Sequence, residues 1–182
     1  IKHNRAGMGL GVKLFYTIGE LKDYIYGDHF ENSVDGITLI QSYIVSPESS
    51  IIRVEFVDKK FLYAVKVNTE SGFELCPADE CNFDAFDLNN KESLSSKSKS
   101  KFKIIENFLS FSFANNIIKK MQELMHNVGI DIASFEIILD KNNDFFVYDI
   151  NVNTNYNSTA EKNTPHSGTV SVAQFLERIS LE

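Results

Sequence analysis

The stretch SFEIILDKNNDFFVYDIN, residues Ser134 to Asn151, decides the fold. Two apolar runs flank Lys141-Asn142-Asn143-Asp144, and Asn tolerates the left-handed backbone that a tight turn demands, so the pattern predicts an antiparallel hairpin. With Asn142-Asn143 as a two-residue turn, Lys141 faces Asp144, and counting outward sets Glu136 opposite Asp149. Strand side chains alternate, so Asn151 shares the face of Asp149 and three oxygen-bearing groups converge on one patch. In this register Phe135, Ile137, Leu139, Phe146, Tyr148 and Ile150 occupy the other face, while Ile138, Val147 and Phe145 lie beside the acids. Facing carboxylates in apolar surroundings repel and are poorly solvated unless a proton or a cation resolves the conflict. Mg²⁺, or Mn²⁺ in its place, suits Glu136, Asp149 and Asn151, because all three offer hard oxygen ligands. A longer hairpin loop would instead slip the register and turn Glu136 or Asp149 to solvent.

Outward from this hairpin, the rest of the chain reads as mixed helix and strand. Upstream, Ile104, Ile105, Phe108, Leu109, Phe111, Ile117, Ile118, Met121, Leu124 and Met125 recur at helical spacing, predicting a helix from Lys103 to about Asn127 that Gly129 stops. The runs IIRVEFV and KFLYAVKV flank Asp58-Lys59 and predict a second hairpin. An apolar strand is expected over Ile37 to Ile44, and Thr17-Ile18-Gly19-Glu20 has capping-box spacing for a helix reaching about Tyr26. Downstream come an Asn-rich loop, Val152 to Asn157, and a helix from about Thr169 to Leu181. From Ser71 to Asp87 periodicity is weak, and the Ser- and Lys-rich run that follows, ending near Lys101, reads as a solvated loop. The expected class is α+β with mostly antiparallel sheets.

At the amino terminus Ile1-Lys2-His3 reads as a strand, Gly7-Met8-Gly9-Leu10-Gly11 as a loop, and Val12 to Tyr16 as a second strand. Three glycines allow a backbone to turn tightly and bring its N–H groups to phosphate oxygens. The residues after them exclude a P-loop, since no Gly-Lys-Ser/Thr follows, and exclude a dinucleotide fingerprint, since no helix follows directly. Two readings stand at this point: a flexible hairpin turn, or a cover over nucleotide phosphates with Lys2 as its mobile cation.

Composition narrows the partners. The 182 residues carry a net charge of −7, so a phosphate-backbone binder is not expected and nucleic acid is excluded as a general partner. With only two cysteines, Cys76 and Cys81, there is no disulfide framework or zinc set. No apolar run is long enough to span a membrane and no signal-peptide pattern opens the chain, so a cytoplasmic protein without a membrane partner is expected. His3, His29, His126 and His166 have no metal-ligand spacing and read as surface or capping residues.

Taken in order, Lys2, the glycine loop, LIQSYI, the IIRVEFV hairpin, Glu136, and Asp149-Ile150-Asn151 with its Asn-rich loop resemble the ATP-grasp superfamily, and RVEFVDKKFLYAV with GFELCPADEC resembles its RimK-like ligases. The resemblance implies two antiparallel subdomains that grip ATP between them, a smaller glycine-loop subdomain over residues 1–40 and a larger one over 41–182. It implies ATP held by Lys2, Gly7, Gly9 and Gly11, with adenine against a hinge at Gln41, Ser42, Tyr43 and Ile44. Arg53 would face the transferred phosphate, and Glu136, Asp149 and Asn151 would hold Mg²⁺. The implied reaction is ATP-dependent joining of a small-molecule or peptide carboxylate to an amine through an acyl phosphate. Ile51 stands where such ligases usually carry a ribose-binding acid, with Glu48 as a substitute, and Glu74 and Cys76 stand at expected polar positions. Those replacements leave an alternative, a nucleotide-binding module or fragment without turnover. The resemblance also implies that a substrate domain precedes Ile1, and the oligomeric state is open.

Overall fold

The structure is a computed structural model that describes residues 1–7, 9, 11–70, 101–162 and 164–181. Strand β1 (Lys2–His3) pairs antiparallel with β2 (Thr38–Leu39), and helix α1 (Ile18–Tyr26) lies between them in the chain. Then come β3 (Ser50–Val57), β4 (Lys60–Asn68), β5 (Phe102–Ile104), a 3₁₀ turn (Phe108–Ser110) and α2 (Ala114–Val128). The chain closes with β6 (Ile132–Leu139), β7 (Phe145–Asn151), the short α3 (Ser158–Glu161) and α4 (Gly168–Ser180). Among the described residues five strands form one sheet in the order β5-β4-β3-β6-β7, and every neighbouring pair is antiparallel. The protein is therefore mixed α+β with antiparallel sheets.

Helix α2 covers one face of the larger sheet. Its buried residues Ala114, Ile117, Ile118, Met121 and Met125 follow the helical stripe and pack on Val54, Phe56, Ala64, Ala133, Phe135 and Ile137. Burying each large apolar side chain contributes about 1.5–3 kcal/mol, whereas a helix of this length is marginal alone, so packing rather than propensity holds α2. Gly129 ends it at φ 71, a left-handed cap that glycine adopts without strain. The opposite face carries a second cluster, Ile51, Tyr63, Val65, Val67, Phe102 and Ile104, and beside it the polar site.

Several expectations meet the structure directly. Thr17 caps α1 with both halves of the capping box, and Asp58-Lys59 turns the β3–β4 hairpin with φ of 56 and 57 at its two central residues. The predicted helix over Lys103 to Asn127 starts late: Phe102 and Ile104 alternate with exposed Lys103 on β5, and Asn107 takes φ 54, which interrupts any helix before Ala114. The predicted strand over Ile37 to Ile44 shortens to Thr38–Leu39, because β1 offers only two residues to pair with. Val12 to Tyr16 forms no strand, although Ile1 and Lys13 exchange backbone hydrogen bonds of 3.0 Å in both directions. Gly9 and Gly11 both have positive φ, and a Cβ on Gly11 would sit 2.8 Å from the His3 ring, so only glycine fits there. Cys76, Cys81, Glu74 and the Ser- and Lys-rich run lie outside the described residues.

Candidate functional site

Alternation along the paired strands of the larger sheet places the polar side chains in two rows on the face opposite α2. One row runs Ile104, Val65, Arg53, Glu136, Asp149 from β5 to β7, and the next runs Tyr63, Glu55, Ser134, Asn151. The first row passes from apolar groups into charged ones and the second is polar beyond Tyr63, so the site is half of a sheet face whose other half is core.

The pairing of Glu136 with Asp149 arises from two deviations that cancel. The hairpin loop is one residue longer than the two-residue turn, with Asp140 paired to Asp144 and Asn143 at φ 62. A bulge then inserts Tyr148 into β7, since Ile137 pairs with Val147 but Glu136 pairs with Asp149. The bulge also turns the Tyr148 side chain onto the face of Glu136, correcting its assignment to the opposite face. Its hydroxyl donates to Glu136 Oε2 at 2.6 Å. Phe145, expected beside the acids, packs instead on the α2-side core.

Arg53 is 4% exposed and sits among acids: its Nη2 lies 3.0 Å from Glu55 Oε1 and its Nε 3.7 Å from Glu136 Oε1. The same Nη2 donates to Thr154 Oγ1 at 2.6 Å and Ser134 Oγ at 3.3 Å, and Thr154 donates on to Glu55 at 2.9 Å. The loop after β7 is thereby fastened to the sheet. Next to it, Glu161 of α3 accepts from Tyr63 Oη at 2.5 Å and from the Gly168 N–H at 2.8 Å. A cavity of about 10 Å³, the size of one water, is lined by Arg53, Glu55, Tyr63, Asn155 and Asn157 among others.

Burial dominates the electrostatics. Loss of solvation pushes the Glu55 carboxyl up to about 7, outweighing the adjacent Arg53 cation and the Thr154 hydrogen bond. Burial likewise raises Glu136, with Asp149 adding to the shift, while the Tyr148 hydroxyl, Arg53 and Lys2 oppose it. The Tyr63 and Tyr148 hydroxyls are raised by burial and by neighbouring carboxylates, so both remain hydrogen-bond donors across the physiological range.

From the smaller sheet, Lys2 reaches this face. Its ammonium donates to Asp149 Oδ1 and to the Tyr148 carbonyl, each at 2.9 Å, and stands 5.9 Å from the Tyr148 ring centre. Gln41 Nε2 donates to the same Tyr148 carbonyl at 3.5 Å. Of the predicted site residues, contacts thus join Lys2, Gln41, Arg53, Glu136 and Asp149. Gly7, Gly9 and Gly11 lie in the loop that follows Lys2, and Ser42, Tyr43 and Ile44 follow Gln41 in a segment without regular secondary structure. Asn151, opposite Ser134, accepts from the Asn153 N–H at 2.8 Å through its side-chain oxygen. Ile51 is buried in the apolar cluster, and Glu48 pairs with Lys66. Lys66 is cross-strand to Ile52 and so lies on the face opposite Arg53.

Among the described residues no three His, Cys, Asp or Glu side chains cluster as a metal site. The donor set Glu136, Asp149 and Asn151 still fits one hard cation, since it offers two carboxylates and an amide on one strand-pair face. Among the described residues Arg53 Nε is buried without a hydrogen-bond partner, a donor suited to an anionic oxygen. Glu55, Tyr148, Thr154, Ser134 and Glu161 were not anticipated from sequence. The legible signal was Arg53-Val54-Glu55, two charges on one face of an otherwise apolar strand.

No family model and no curated protein matches this chain. Solved structures match it in part. One is the macrocyclase MdnC bound with precursor peptide MdnA from Microcystis aeruginosa MRC, 13% identical with a TM-score of 0.43, covering 73% of this chain and 31% of that one. Another is the Chryseobacterium gregarium RiPP-associated ATP-grasp ligase in complex with ADP and a leader and core peptide, 13% identical with a TM-score of 0.47, covering 73% and 34%. A third is the ATP-grasp ligase PsnB complexed with a phosphomimetic variant of minimal precursor, Mg and ADP, 14% identical with a TM-score of 0.45, covering 77% and 34%. The chain spans about a third of the length of these structures. No helix among the described residues is long and apolar enough to cross a membrane.

Proposed function

We propose that this chain is the nucleotide- and metal-binding part of an ATP-dependent ligase of ATP-grasp type, RimK-like in its motifs, that joins a carboxylate to an amine. The observation that carries the reading is the meeting of Lys2 with Asp149 beside Glu136 and Arg53. A lysine that precedes a glycine loop and a carboxylate pair on a hairpin would then share one nucleotide. Residues 1–40 form the smaller half of the grip and 41–182 the larger.

In this reading the glycine-loop N–H groups and Lys2 bind phosphate oxygens, and backbone groups of Gln41 to Ile44 hold adenine. Arg53, whose Nε–H makes no hydrogen bond but lies 3.7 Å from Glu136, faces the transferring phosphoryl group. Glu136, Asp149 and Asn151 would hold Mg²⁺, or Mn²⁺, which neutralises charge on the phosphates. The substrate carboxylate attacks the γ-phosphorus and expels ADP. The amine then attacks the acyl carbon, expels inorganic phosphate and loses a proton to give the amide. Positioning and electrostatics supply the catalysis, with no protein nucleophile. The acid and amine are small molecules or peptide side chains and termini.

The test is release of ADP and phosphate with a panel of amino acids and peptides. Amine-dependent turnover is expected, and its absence in a protein that binds Mg·ATP would sink the ligase reading. The burial of Ile51 where a ribose-binding acid is expected favours a second reading, a binding module without turnover. That module would show Mg·ATP affinity, lost in Glu136→Ala, and no ADP release with any amine.

A further inference from the structure

We propose that Lys2 is the internal counter-ion of the Glu136–Asp149 pair, and that a divalent metal gains this pair as Lys2 moves onto nucleotide phosphate. The inference rests on the metal and nucleotide reading above and adds an order to it: the metal enters with the nucleotide.

The geometry makes the two cations rivals. Lys2 Nζ donates to Asp149 Oδ1 and the Tyr148 carbonyl at 2.9 Å each, and its side chain is 18% exposed. A Mg²⁺ ion bound to Asp149 would lie about 2.0–2.1 Å from the same carboxylate. An ammonium and a dication cannot share that oxygen at these distances without strong repulsion. Lysine is suited to an exchange, because its charge is compact and its four-carbon stem is flexible. Phosphate oxygens offer the ammonium a better acceptor than a half-exposed carboxylate, whereas the Tyr148 carbonyl holds it only while no phosphate is near. The bulge is what brings this about, since it sets the Tyr148 carbonyl and the Asp149 side chain within reach of one Nζ. Gln41 shares that carbonyl, so the hinge feels the same displacement. By linkage, nucleotide and metal then strengthen each other's binding.

The experiment is calorimetric titration with Mn²⁺, without nucleotide, of the wild-type protein, Lys2→Gln and Lys2→Arg. Acylation of Lys2 by an amine-reactive reagent, read by mass spectrometry with and without Mn²⁺, accompanies it on the wild type. Lys2→Gln is expected to bind Mn²⁺ about two- to fivefold more tightly, the worth of a partly exposed ion pair. Lys2→Arg should stay near wild type, and Mn²⁺ should speed acylation of Lys2. Equal Mn²⁺ affinity in wild type and Lys2→Gln, with unchanged acylation, overturns the counter-ion proposal and leaves the metal reading standing. Absence of Mn²⁺ binding in all three proteins, both without nucleotide and with a non-hydrolysable ATP analogue present, overturns the metal reading itself. The acylation arm decides the matter even where Lys2→Gln fails to fold.

Discussion

Glu55 stands two residues from Arg53 on β3, 2% exposed, and is the most buried acid among the described residues. Its carboxyl is raised by burial from 4.5 to about 7, so between those values the folded protein holds a proton that the unfolded chain has released. Stability from this group is full below about 4.5 and is lost as pH rises through about 7, by on the order of 3 kcal/mol. Glu55→Gln cannot titrate, so its unfolding free energy is expected to fall less between pH 5 and pH 8 than the wild type's; Glu136, raised in the same direction, keeps part of the slope. Urea denaturation at the two pH values measures this, and an identical slope in the variant refutes the assignment. Tyr148→Phe removes the 2.6 Å bond to Glu136 while keeping the ring. That variant should lose about 1–3 kcal/mol, the range for a bond to a buried carboxylate, at pH 8. The charge pair at positions 53 and 55 was legible as an interruption of an apolar strand. Tyr148 was not, because a bulge residue obeys neither the period-two rule nor the count from the turn.

Among the elements, legibility followed how local the determinants were. The α1 capping box and the Asp58-Lys59 turn are decided by residues within four of each other, and both formed as read. The segment Phe102 to Phe111 fits either a helical or a strand period, and only pairing of Val65 and Val67 with Ile104 and Phe102 makes its start a strand. The carboxylate pair came out opposite because an unforeseen loop residue and an unforeseen bulge offset one another. The α4 start shows a constraint that sequence conceals altogether. Gly168 is buried, and a Cβ there would meet the Tyr156 ring at 2.0 Å, at ring atoms close to the backbone that cannot swing clear. Gly168→Ala must move either Tyr156 or the helix start, whose N–H holds Glu161. A loss of about 1–3 kcal/mol, typical of overpacking, is expected by denaturation. Gly19→Ala, where the nearest atom is 3.7 Å away, should show no such loss and serves as its control.

At the scale of the whole molecule, burial is distributed unevenly. The larger sheet and α2 hold the core, whereas Ser33 is the only buried residue among those described before Ser50, and α1 buries none of its own. An element with so little buried apolar surface opens at a small fraction of the global unfolding cost. Amide exchange in Ile18–Tyr26 is therefore expected to report opening free energies of about 0–2 kcal/mol, against the full stability, about 5–15 kcal/mol, for β3 and β6. At the site this half reaches the larger sheet through Lys2, which contacts Asp149 and Tyr148, and Gln41, just past the boundary, donates to the same Tyr148 carbonyl. A nucleotide held by both halves would bind only the docked state, so opening of the amino-terminal half would require its release. At a ligand concentration of 100 times the dissociation constant, Mg·ATP should add about 2.7 kcal/mol to those openings. The gain should reach β1, β2 and α1 together, because their separation from the larger sheet is one event. Protection confined to β6 and β7 would mean that the carboxylate pair binds the metal without the glycine-loop half, and that the two sheets do not close on a common ligand.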